Sequence, residues 1–108
     1  MRYVREEVLH GSSSGISVWM TPRPLDRTHV ARDVDTAVPD LPFPYPGTWL
    51  VMIDDQPKAG WGHRCRWVFV RDDLREHTAP QLKEFPPTVW AHHGAGPEIP
   101  LIHPTTWP

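Results

Sequence analysis

The chain has 108 residues, 39% of them hydrophobic and 22% charged, with a net charge of −2. A chain of that length buries one core without staples, and the composition is that of a globular domain rather than a disordered one. The charge balance contains no basic run to attract nucleic acid, the single cysteine excludes an internal disulfide framework, and no segment nears the roughly 20 apolar residues of a membrane span.

Charges throughout MRYVREEVLH argue against a secretory leader, so the expectation is a soluble, cytoplasmic protein. The chain reads as one domain over residues 1–108. Fourteen prolines and six tryptophans are many for this length, asparagine is absent, and nine arginines stand against two lysines. That bias suits a GC-rich bacterial genome.

In chain order, residues 3–9 and 16–20 read as a hairpin around the flexible GSSSG turn. Ile16, Val18 and Met20 share one strand face, although Val4 and Val8 also fit a helical spacing. Pro22 and Pro24 interrupt any ladder. A short helix over 26–34 is expected, with Asp26 as its N-cap and only a thin apolar face. The stretch 39-PDLPFPYPG-47 is held extended by alternating prolines and lays Leu41, Phe43 and Tyr45 over the core.

Residues 48-TWLVMI-53 are an unbroken apolar run, the pattern of a strand buried on both faces. Residues 63-HRCRWVFV-70 alternate instead. His63, Cys65, Trp67 and Phe69 point one way, and Arg64, Arg66, Val68 and Val70 point the other. Beyond them, Asp72 or Asp73 caps a turn. Thr78 and Gln81 have the spacing of a capping box for a helix near 79–85, and 88–91 reads as a last strand. The proline-rich tail 92–108 is expected to wrap over the surface. The fold class is mainly β, with α+β as the alternative: a small antiparallel sheet with long proline-rich loops and one or two short helices.

The chemistry concentrates in 52-MIDDQPKAGWGHRC-65. Asp54 and Asp55 end the buried strand, where loops present functional groups. Adjacent strand residues face opposite ways, so the simpler reading makes them solvated turn residues. Cys65 shares a face with Trp67 and Phe69 and reads first as a small core residue. As a nucleophile it needs a base, and His63 at alternate-residue spacing lies too far along the strand for a direct dyad. His77, His92, His93 or His103 would have to serve. His63 and Cys65 also have the alternation that lets two ligands converge on one ion, with 92-HH-93, His103, Asp54 or Asp55 completing the set. Trp61, flanked by Gly60 and Gly62, reads either as a cover over the core or as the wall of a ligand site with His63 as its polar contact.

The preferred functional reading is a small binding or accessory module that holds a peptide, a small ligand or a protein partner. Its contacts are Trp61, His63, Asp55 and Lys58, and its setting is bacterial peptide processing or specialised metabolism. A strand edge offers a route to a homodimer. One alternative is a small enzyme using His63 with Asp54, Asp55 or Cys65. A second is a metal-binding protein built on His63 and Cys65. No cofactor, bound metal, nucleic acid or membrane partner is expected.

Overall fold

The computed structural model describes residues 2–11, 15–60, 62 and 64–103. Among these residues eight strands follow one another: β1 (Ser17–Met20), β2 (Val30–Arg32), β3 (Leu41–Pro42), β4 (Thr48–Asp54), β5 (Cys65–Arg71), β6 (Gln81–Lys83), β7 (Thr88–Trp90) and β8 (Glu98–Ile99). They form two four-stranded sheets, ordered β1-β4-β5-β6 and β3-β2-β7-β8. Every pairing is antiparallel. The chain is therefore mainly β, as its patterning predicts.

The β4–β5 pair is the spine, in register from Thr48 opposite Arg71 to Asp54 opposite Cys65. Strand parity sorts its side chains between two cores. Leu50, Met52, Cys65, Trp67 and Phe69 face inward and pack with Ala31, Phe43 and Val89 between the sheets. Val51, Ile53, Val68 and Val70 face the other way, joined by Val18 and Met20 and capped by Val4, Val8 and Leu9. This double coverage explains the unbroken apolar run of β4: each face has its own core, and each buried aliphatic side chain contributes about 1.5–3 kcal/mol. The expected covering role of Leu41, Phe43 and Tyr45 is seen, with Phe43 buried and the other two packed against the inner core.

The N-terminal segment departs from the expected hairpin. Val4–Val8 is a short π-helical turn, closed by the Leu9 N–H donating to the Val4 carbonyl at 2.9 Å, and β1 pairs with β4 instead. The four-residue spacing of Val4 and Val8 is the signal that wins, because it puts both on the side facing the outer core, while Arg2 and Glu6 pair at 3.1 Å on the surface.

The expected helix over 26–34 is a turn followed by β2. Asp26 does cap, but as an Asx turn: its carboxylate accepts the Thr28 N–H and hydroxyl. Those bonds, with His29 alongside, hold its pKa down at about 2. The helix expected near 79–85 is β6. Thr78 does not cap it, because its hydroxyl accepts the Phe69 N–H and its own N–H donates to the Phe69 carbonyl. At 72–75 Asp73 caps a turn, accepting the Arg75 N–H, with Leu74 left-handed at φ 59°.

Nor is 88–91 the last strand. The tail adds β8 beside β7, and Ile102 then bridges to Met20 of the other sheet. Residues 98–102 of the tail thus connect the two sheets. Among the described residues no helix is long and apolar enough to cross a membrane.

Candidate functional site

The residues that drew attention in 52–65 are divided by the sheet. Asp54 continues the inward parity of Leu50 and Met52, is almost fully buried, and accepts the Gln56 N–H at 2.9 Å. Asp55 takes the outward side and holds the Arg66 guanidinium by two bonds of 3.0 and 2.7 Å. The two carboxylates face opposite ways, as strand alternation requires, but neither is the solvated turn residue of the simpler reading. Asp55 and Lys58 share a hollow on the outer side with Gly15 and Ile16. Trp61 and His63, the expected ligand contacts, lie outside the described residues.

Cys65 is fully buried opposite Asp54. Its Sγ donates to the Phe85 carbonyl at 3.1 Å, and the Trp67 indole N–H donates to the same oxygen at 3.1 Å. Burial pushes the thiol up to about 11. The neighbouring Trp67 N–H acts the other way, and Asp54, Asp55 and Asp33 add to the rise. A nucleophilic cysteine wants a cation beside it, whereas this one has carboxylates; at neutral pH only about one thiol in ten thousand is ionised. We therefore expect Cys65 to react with a thiol reagent at least about 100-fold more slowly in the native protein than in denaturant. Stoichiometric labelling of the folded protein within minutes would contradict this. The raised pKa also fixes a sign. The contribution of the neutral thiol to stability is complete below the ordinary value of 9.0 and is lost as pH rises through about 11.

For a metal, the described residues bring no three His, Cys, Asp or Glu side chains together. His92 and His93 lie in a short 3-10 turn at φ 51° and 56°, with the His93 N–H bonded to the Thr28 carbonyl. His77 is bonded through Nδ1 to the Tyr3 hydroxyl at 2.9 Å, and His103 sits edge-on to Trp19 at 5.0 Å. Of the histidines considered as partners for Cys65, His77 and His103 are thus engaged elsewhere through their rings, and His92 and His93 lie exposed in the turn between β7 and β8.

The inward turn of Asp54 leads to a different site. A groove of about 400 Å³ opens between the sheets, with Trp19 and Met52 on one side and Ile99 and Leu101 on the other. Pro86, Pro87 and Pro100 complete its walls, Asp54 turns into it from β4, and Glu98 borders it from an exposed position of β8 opposite Trp90. Its volume lies within the range of small-molecule sites, as does its makeup of apolar walls with few polar groups. Apart from Asp54 and its strand neighbour Met52, none of these residues belongs to the segment that the sequence marks. They come from β1, β4, the β6–β7 connection and the tail, and the bridging of Ile102 to Met20, with His103 against Trp19, brings the tail to β1. The density of prolines in 86–100 was the one local hint. Comparison of the chain with protein-family models, with curated proteins and with solved structures finds no match, so the functional reading rests on this geometry.

Proposed function

We propose that the chain is a binding module that seats a small ligand, or the side chains of a short peptide, in the groove between its sheets. The observation that carries this reading is the convergence of a tryptophan, three aliphatic or thioether side chains and the inward-turned Asp54 from separate segments around one cleft. An aromatic face with few, well-placed polar groups is a binding surface; a catalytic reading would need an activated group, and Cys65 is tuned away from that role. The 54–63 segment leaves the groove at Asp54, and Trp61 and His63 are proposed to extend the contact surface. Trp61→Ala is then expected to weaken ligand binding by about 1–3 kcal/mol, the range of an aromatic anchor, while leaving thermal unfolding nearly unchanged. An unfolded variant would make Trp61 a core residue instead.

The reading is tested by mapping amide and indole NMR shifts against a set of small fragments. Shifts clustered on Trp19, Met52, Asp54, Ile99 and Leu101 support it. Shifts confined to residues 15–16 and 55–59 would move the site to the outer hollow.

A second reading has its own observation. Leu82 is 77% exposed on β6, an outer strand of its sheet, which favours pairing of that edge with a second copy of the chain. Sedimentation of wild type against Leu82→Lys separates the two states.

A further inference from the structure

We infer that two copies of the chain join β6 to β6 about a two-fold axis through Leu82, each Leu82 donating its N–H to the carbonyl of the other; this deepens the edge-pairing reading and rests on it. Strand alternation fixes which backbone groups of β6 are open. The Asp55 N–H donates to the Arg64 carbonyl, the Thr78 N–H to the Phe69 carbonyl and the Arg71 N–H to the Glu76 carbonyl. Along β5 the even residues therefore turn their backbone groups to β4 and the odd residues turn theirs to the β6 side. In the β5–β6 ladder Cys65–Lys83 and Trp67–Gln81 are then the bonded pairs. Leu82, opposite Arg66, turns its N–H and C=O away from β5. β6 is the last strand of its sheet, and among the described residues neither of these groups has a partner. A hollow of about 500 Å³, bordered by Asp33, Asp35, Val38 and Phe85, leaves room beside the strand.

A residue that presents both a donor and an acceptor is self-complementary: a second Leu82 across a two-fold axis satisfies both at once. In that register Leu82 faces Leu82, Lys83 faces Gln81 and Glu84 faces Pro80, so an apolar pair sits at the centre and no like charges are opposed. An axis at Lys83 or at Glu84 would set like charges face to face. Pro80 has no N–H, which limits the ladder to its centre and keeps the strands from sliding. A flexible peptide suits this edge less well. β6 is only three residues long and offers few bonds against the entropy lost in ordering a peptide, whereas a second β6 arrives already held by its own β5. The pairing gives one sheet of eight strands, with β1 and its Trp19 at each end.

The test combines sedimentation with cysteine cross-linking by oxidised glutathione. Directly opposed bonded residues lie about 5.5 Å apart at Cα, within reach of a disulfide, whereas Gln81 would stand ~8 Å from its own copy, beyond it. Leu82→Cys is expected to form a disulfide-linked dimer at least about tenfold faster than Gln81→Cys, with wild type, whose one cysteine is buried, as the control. Leu82→Pro removes the outward N–H and spares the bonds to β5, so it should fold and dimerise at least about tenfold more weakly than wild type. Equal cross-linking of Gln81→Cys and Leu82→Cys, or a Leu82→Pro variant that dimerises like wild type, would overturn the two-fold at Leu82 and leave edge pairing in place. A wild-type protein that stays monomeric up to about 1 mM would bring down the edge-pairing reading and this inference together.

Discussion

Trp67→Ala is expected to remove a large share of the protein's net stability. Trp67 is the largest of the fully buried side chains, and it stands at the centre of the core between the sheets. Its indole N–H helps hold the Phe85 carbonyl, and Lys83 lies over its ring at 4.9 Å while reaching Asp33 at 3.7 Å. One side chain thus anchors the loop after β6 and links the edge of the first sheet to the loop after β2. Truncating a buried tryptophan costs about 3–5 kcal/mol, against a net stability of about 5–15 kcal/mol for a domain. Trp67→Phe keeps the ring packing and loses the hydrogen bond, so it should cost only about 1–2 kcal/mol. Urea titrations of the three proteins check both values. A loss below about 1 kcal/mol for the alanine variant would mean that the two sheets do not depend on this contact.

The other large effect is expected at the outer core. Val4 is fully buried over Val51, Ile53, Val68 and Val70, although it comes from a segment only five residues long. Val4→Asp removes a buried aliphatic contact and puts a carboxyl where nothing pairs with it. The expected cost is about 3–4 kcal/mol at neutral pH, the sum of lost burial and a desolvated acid. The sign with pH follows from burial. A desolvated carboxyl has a folded-state pKa above its unfolded one, so the variant is least destabilised in acid and loses stability as pH rises through the carboxylate range. Thermal melts across that range should show the gap from wild type widening with pH. A gap that is constant and small would mean that the N-terminal turn lies loosely on the sheet.

These two cores were unequally legible. β4 and β5 could be read from the chain because seven-residue strands are long enough to carry a period: an unbroken run for β4, alternation for β5. The parity that placed Cys65 with Trp67 and Phe69, and that set Asp54 and Asp55 on opposite sides, is the same signal used a second time. β2, β3, β6 and β8 have two or three residues each. A segment that short has no period, and its conformation is decided by the strand it meets, which is why Thr78 and Asp26 suggested helices that do not form. Residues 3–9 carried both periods at once, and the helical one prevailed because the outer face of β4 and β5 needed a cover. The groove was out of reach for a different reason. Trp19 and Leu101 stand at opposite ends of the chain and meet only through sheet pairing that no local pattern encodes.

The most direct test of the account sets Asp54→Asn beside Asp55→Asn and measures, for each, the affinity of a fragment that the NMR mapping places between the sheets. Both changes remove one charge at nearly constant shape. Asp54 faces the groove, while Asp55 faces the opposite side and holds Arg66. Asp54→Asn is predicted to weaken that binding by about threefold or more. Asp55→Asn is predicted to leave that affinity within about twofold while lowering stability by about 1 kcal/mol, as expected for a part-exposed ion pair. Equal losses of affinity in the two variants, or a loss confined to Asp55→Asn, would contradict the assignment of the inter-sheet groove as the binding site.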